Sequence, residues 1–145
     1  MADRLGDILV RRRILNPSQL QACLEEQSKT NQFLGEILVQ KNYVSERQLL
    51  EILAEQFQTR FVSLEDLKIG SVVLSLVPKG LVFEHKFMPL AIQSGVILIA
   101  VSNPLDMWPM SVLQSKLDLA EVRFVLAEKA DIANAIKKHY GAEAA

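Results

Sequence analysis

The sequence predicts an α+β protein, with a four-helix subdomain of two tandem helical hairpins followed by a small α/β subdomain. Three observations predict it. Residues 4–27, RLGDILVRRRILNPSQLQACLEEQ, return 29 positions later as residues 33–56, FLGEILVQKNYVSERQLLEILAEQ, with ten of the 24 aligned positions identical. Within each copy many of the shared residues recur at spacings of three or four, the period of a helix. From Arg60 onward the pattern changes to short β-rich runs bounded by turn residues. The expected division is therefore residues 1–58, a tandem helical-hairpin unit, and residues 59–145, a small α/β unit.

The first helix of each copy carries LGDILV or LGEILV and is expected to end at Arg13 or Asn42, where the turn calls for a left-handed residue. Asparagine tolerates that conformation; arginine pays about 1 kcal/mol for it. The second helices start near residues 17 and 46. Asn16-Pro17-Ser18-Gln19 reads as an N-cap, a proline at the first helical position and a glutamine closing a capping box, and Ser45-Glu46-Arg47-Gln48 repeats the box without the proline. Ser28 to Gln32 reads as a polar linker with no apolar anchor, expected to leave the hairpins some relative mobility.

In the second half, Ser71 to Leu76 reads as a short helix ended by Pro78 and Gly80, and His85 as a solvated loop residue. Phe87 to Ile92 and Gly95 to Val101 read as strands joined by Gln93-Ser94. A helix over Pro109 to Leu117, a strand over Glu121 to Leu126 and a helix over Lys129 to Tyr140 complete the chain.

Sixteen basic residues against seventeen acidic ones give a net charge of −1, which supplies no broad positive surface for nucleic acid, although Arg11-Arg12-Arg13 is locally basic. The longest apolar runs, such as Val96 to Val101, fall far short of the roughly 20 residues that span a bilayer. With no charged-then-apolar leader read at the start, a cytoplasmic location without direct membrane insertion is expected. The lone Cys23 rules out an internal disulfide and, with His85 and His139 distant in sequence, leaves no metal-ligand spacing; Cys23 reads as a small core residue. Trp108 reads as a core or interface anchor. No GxxxxGK[ST] phosphate loop, G-x-S-x-G elbow or H-E-x-x-H pair occurs, so the chain reads as a non-enzyme, with any ATPase activity lying in another domain or chain.

Gly6 and Gly35 near the helix starts carry a propensity cost of about 1 kcal/mol relative to alanine, so something must approach the backbone there. An anion, a planar base or another helix would each fit. Asn103-Pro104-Leu105-Asp106 lies at a strand end, where ligands often bind, which makes Asp106 a candidate ligand residue; the favoured reading is an ordinary Asn-Pro turn with Asp106 as a cap.

The pattern of Arg-Leu-Gly, two aliphatics, a turn, then spaced leucines and a closing glutamine, repeated after a five-residue spacer, resembles the MshEN domain, the amino-terminal domain of many type II secretion and type IV pilus assembly ATPases. "ILIAVSNPLD" at residues 97–106 and "IANAIKKHYG" at residues 132–141 are similar to the remainder of that domain. The resemblance implies a regulatory domain that binds cyclic di-GMP, a two-fold-symmetric second messenger, with one copy of the motif gripping each half. It implies that Arg4 meets a guanine, that Leu5-Gly6 and Leu34-Gly35 present backbone and an apolar edge, that Ile8, Leu9, Ile37 and Leu38 line the groove, and that Gln27 and Gln56 close the two halves. Asp7, beside the first glycine, joins the candidate set. Phe33 stands where the family often has a basic residue opening the second copy, and can stack on a base. Arg13 and Asn42 stand where glycine is usual.

No cofactor or metal is expected. The implied partners are cyclic di-GMP and a secretion or pilus assembly ATPase domain or its membrane-anchored partner. The alternative expectation is a docking module whose repeat no longer binds nucleotide and whose apolar face meets the cytoplasmic part of a membrane-embedded secretion or pilus component.

Overall fold

A computed structural model describes residues 5–106 and 108–141. The chain divides into two compact units, Met1–Gln58 and Thr59–Ala145. The first is all helical, with α1 (Leu5–Arg11), α2 (Pro17–Thr30), α3 (Leu34–Gln40) and α4 (Glu46–Gln56). Both second helices begin as the sequence predicts. The Asn16 side chain accepts from the Gln19 backbone N–H at 2.8 Å while the Gln19 side chain accepts from the Asn16 N–H at 2.9 Å, and Ser45 and Gln48 repeat the exchange at 3.1 and 3.0 Å. Each box satisfies donors that a helix start otherwise leaves open, worth about 0.5–2 kcal/mol.

The expected linker is mostly helix. α2 runs on through Ser28, Lys29 and Thr30, and the Ser28 and Thr30 hydroxyls donate back to the carbonyls of Glu25 and Glu26. Asn31, at φ 59°, then ends the helix in the left-handed conformation. Two residues, Asn31 and Gln32, separate that helix from the N-cap Phe33, so the linker is two residues long instead of the five expected.

Inside the unit α1 packs on α2 and α3 on α4, as two hairpins should, while α1 also packs on α4 and α3 on α2. Leu9, Cys23, Ile37 and Leu38 have no exposed surface, and Leu15, Val44, Leu50, Ile52 and Leu53 are nearly as enclosed. Burying each of the larger side chains contributes about 1.5–3 kcal/mol. Cys23 is thus a core residue as expected, and burial pushes its thiol upward.

The second unit contains α5 (Ser71–Leu76), α6 (Lys79–His85), β1 (Met88–Gln93), β2 (Val96–Val101), α7 (Trp108–Lys116), β3 (Glu121–Leu126) and α8 (Lys129–Tyr140). The sheet order is β1-β2-β3, antiparallel between β1 and β2 and parallel between β2 and β3, with α7 lying in the crossover that a parallel pair requires. Gln93 pairs with Val96, which moves the hairpin turn one residue on from the expected Gln93-Ser94 to Ser94-Gly95. Both turn residues have positive φ, 52° and 79°, as a two-residue hairpin prefers. Pro89 lacks an N–H to donate, and the β1–β2 register shifts between Pro89 and Ala91.

A helix the sequence reading missed, α6, places His85 half-buried in its last turn, correcting the solvated loop expected there. Pro78 opens this helix; its fixed φ suits a helix start as well as it ends one. Trp108 is 70% exposed, so of the core or interface anchor expected of it the core alternative is not found. The core is built instead by Phe87, Met88, Ile97, Ile99, Leu113 and Leu126. Among the described residues no helix is long and apolar enough to cross a membrane.

Candidate functional site

The repeat is reproduced at the level of single hydrogen bonds. After α1 the N–H groups of Arg12, Arg13 and Ile14 donate to the carbonyls of Ile8, Val10 and Leu9 at 2.9, 3.0 and 2.9 Å. After α3 those of Lys41, Asn42 and Tyr43 donate to Ile37, Val39 and Leu38, each at 3.0 Å. Arg13 and Asn42 take the left-handed conformation the turn demands, at φ 61° and 62°. This hook fixes the side chains at positions 12 and 41 beside the other copy. Arg12 Nη2 lies 2.6 Å from Glu55 Oε2, and Lys41 Nζ lies 3.0 Å from Glu26 Oε1. The hydrogen bond from Lys41 to Glu26 holds the ammonium above its ordinary range. Each pair ties the first helix of one copy to the second helix of the other.

The two glycines answer to close packing. A Cβ on Gly6 would lie 2.8 Å from Leu20 Cδ1, and one on Gly35 would lie 2.8 Å from Leu49 Cδ2. Of the approaches open to these glycines, the one seen is a leucine of the paired helix.

Two clefts lined by described residues open on this unit. The smaller, about 250 Å³, has Ile8 and Ile52 among its walls together with Arg11, Arg12, Glu55, Gln56 and Gln58. The larger, about 470 Å³, is bounded by Val10, Pro17, Leu20 and Leu24 with Asp7, Arg11 and Gln21. Arg11 borders both.

Among the predicted site residues, Ile8 and Gln56 meet in the smaller cleft and Asp7 borders the larger. Leu5, Gly6 and Gly35 are buried; Gln27 and Leu34 are half-buried. Phe33, the N-cap of α3, is 38% exposed and so able to offer a ring face. Leu9, Ile37 and Leu38 present no surface, and a ligand reaches them only if the helices part. Arg4 lies outside the described residues. Asp106 belongs to the second unit, where its Oδ1 accepts from the Trp108 N–H at 3.1 Å at the start of α7, as a cap does. Sequence reasoning missed Arg12 and Glu55. The signal was present, since position 12 is basic and position 55 acidic in both copies: Arg12 and Lys41, Glu26 and Glu55. Among the described residues no group of three or more His, Cys, Asp or Glu is placed to hold a metal ion.

The sequence model of the MshEN domain matches residues 57–145, more than half of the chain. This chain belongs to the MshEN domain family. The matched segment covers the second unit, so the tandem repeat lies wholly outside it. Whole-chain comparisons extend the likeness across the repeat. The chain is 27% identical over 140 residues, 97% of its length, to the type IV pilus assembly ATPase PilB of Myxococcus xanthus (strain DK1622), of which it spans 25%. It is similar to a solved structure of MshE with cdg, at a TM-score of 0.85 and 27% identity, covering 95% of this chain and 99% of that one. A structure of the N-terminal domain of XpsE shares the fold at a TM-score of 0.69 and 17% identity, covering 97% of this chain and 100% of that one.

Proposed function

We propose that this chain is a regulatory domain that binds cyclic di-GMP through its helical unit, residues 1–58, and conveys the binding to an ATPase of a pilus assembly or secretion system. The likeness to MshE with cdg, read as cyclic di-GMP, carries this reading, because it extends over 95% of the chain and so includes the repeat. The geometry supports it. Two copies with matching turns, caps and glycine contacts suit a ligand made of two similar halves, and the half-buried Gln27 and Gln56 occupy corresponding ends of α2 and α4. Arg4, Leu5, Gly6, Asp7, Ile8 and Gln27 would serve one half, and Phe33, Leu34, Gly35 and Gln56 the other, with the enclosed Leu9, Ile37 and Leu38 backing the groove from the core instead of lining it. The domain itself carries no chemistry in this reading; its output is a change in what it presents to its neighbour. A ligand shifts that output only by binding one arrangement more tightly than another, typically with about 1–3 kcal/mol of coupling.

Isothermal titration of the purified chain with cyclic di-GMP tests the reading. One ligand per chain is expected, with Arg4→Ala weakening binding by about 1–3 kcal/mol if that fork pairs with guanine. Absence of heat at high micromolar protein overturns it.

A second reading, docking to a membrane-anchored partner without nucleotide, is favoured by Val72 and Trp108, which leave 71% and 70% of their surface exposed on the second unit. Tryptophan is among the residues enriched at protein interfaces. Pull-down against a cytoplasmic portion of such a partner, with and without cyclic di-GMP, separates the two.

A further inference from the structure

We propose that the 250 Å³ cleft is an anion-accepting site in which the Arg12 guanidinium exchanges Glu55 for a phosphate-type anion. The lining sets the Arg12 guanidinium against the Glu55 carboxylate, with Arg11 also on the wall. A guanidinium presents a planar fork that matches phosphate in bidentate fashion. Its present partner is replaceable: the Arg12 and Glu55 side chains are 41% and 67% exposed, and an ion pair in that setting holds weakly. Ile8 and Ile52, 7% and 4% exposed, supply an apolar wall on one side of the space. Gln56 and Gln58 add carboxamide donors. The volume lies below the roughly 300–1,000 Å³ of whole-ligand clefts, so the site takes a phosphate or one half of a dinucleotide. The corresponding pair in the other copy offers Lys41, a point charge without the fork, so the two halves of the unit are unequal anion sites. The inference rests on the nucleotide reading only for which molecule delivers the phosphate.

The full chain, with its Glu55→Gln and Arg12→Gln variants, is titrated with inorganic pyrophosphate and separately with cyclic di-GMP, following backbone amide and guanidinium 15N–1H resonances. Both variants delete the same ion pair, so a purely structural pair shifts both affinities in one direction. The proposal expects opposite directions. Pyrophosphate perturbs Arg12 and Gln56, Glu55→Gln binds up to about fivefold more tightly because a competitor is gone, and Arg12→Gln binds about tenfold or more weakly because a charged hydrogen bond is lost. Pyrophosphate that leaves Arg12 and Gln56 unperturbed at high millimolar concentration, or variants that move together, overturns the site whether or not cyclic di-GMP binds elsewhere. If pyrophosphate behaves as expected and cyclic di-GMP does not bind, the anion is a free phosphate, the nucleotide reading fails and the site stands.

Discussion

Arg12, in the turn after α1, meets Glu55, in the last turn of α4, at 2.6 Å, and 29 positions along the repeat Lys41 and Glu26 meet at 3.0 Å with their order reversed. The copies are therefore crossed, with each first helix held by the second helix of the other copy as well as by its own. A ligand that touches both copies meets one interlocked unit.

The Arg12–Glu55 pair should contribute little to stability itself. A double-mutant cycle with Arg12→Ala and Glu55→Ala is expected to give a coupling of about 0.2–1 kcal/mol by urea unfolding, since both partners are solvent-facing. At 1 M salt, where the screening length falls to about 3 Å, the coupling should vanish. A large coupling that survives salt would mean that the pair is desolvated in solution.

The glycines provide a sharper test because their neighbours differ. Alanine at either position gains about 1 kcal/mol of helix propensity, set against about 1–3 kcal/mol for inserting a methyl into a filled space. In both cases the obstructing atom is the end of a leucine side chain, 2.8 Å away. Leu20 is half-buried and can swing outward; Leu49 is 8% exposed and cannot easily do so. Gly6→Ala is thus expected to be near neutral and Gly35→Ala to cost about 1–2 kcal/mol by urea unfolding. Equal effects would show that the leucines yield alike.

Much of this was legible in the sequence, for identifiable reasons. Capping boxes and the left-handed hooks at Arg13 and Asn42 are local, and local chemistry placed them correctly. The strands were legible because apolar runs such as Val96 to Val101 were bounded by turn residues. What stayed hidden depended on context. Pro78 both stops and starts helices, and nothing near it distinguishes the two. Ser28 to Thr30 read as a linker because they are polar, yet on an exposed helical turn polarity carries no penalty. The crossing of the copies was not legible from the repeat alone, which specifies hairpins and leaves open which hairpin's helices meet; only the shared charges at positions 12, 41, 26 and 55 carried that information. For Trp108, size allows either core or interface, and its place at the exposed start of α7 removes the core alternative.

Arg13 offers a stabilising substitution. Its φ of 61° costs a residue with an ordinary side chain about 1 kcal/mol, a cost that asparagine reduces and glycine avoids. Arg13→Asn should therefore raise stability by about 0.5–1 kcal/mol, while Asn42→Gly, at φ 62°, should change it by less because asparagine already tolerates the conformation. Urea midpoints at constant m-value measure both. Destabilisation by Arg13→Asn would mean that the guanidinium makes an interaction in solution worth more than the strain it carries.

Tyr140, the last residue of α8, should set an alkaline limit on stability. Its hydroxyl is enclosed and, among the described residues, finds no hydrogen-bond partner, and burial pushes the phenol up to about 12 from an ordinary value of 10.0. The folded chain thus keeps a proton that the unfolded chain releases first. Below the unfolded value both states hold the proton and this contribution is fully present. As pH rises from about 10 towards 12 the unfolded state binds fewer protons than the folded one, so stability falls. Tyr140→Phe removes the titrating group and, with it, a buried hydroxyl that lacks a partner, so near pH 7 it should be neutral or stabilising by up to about 1 kcal/mol. Thermal unfolding of both proteins across the alkaline range should show the wild type losing more stability than Tyr140→Phe between pH 10 and 12. Parallel curves would place the hydroxyl in contact with water, and a variant destabilised at pH 7 would reveal a hydrogen bond to that oxygen.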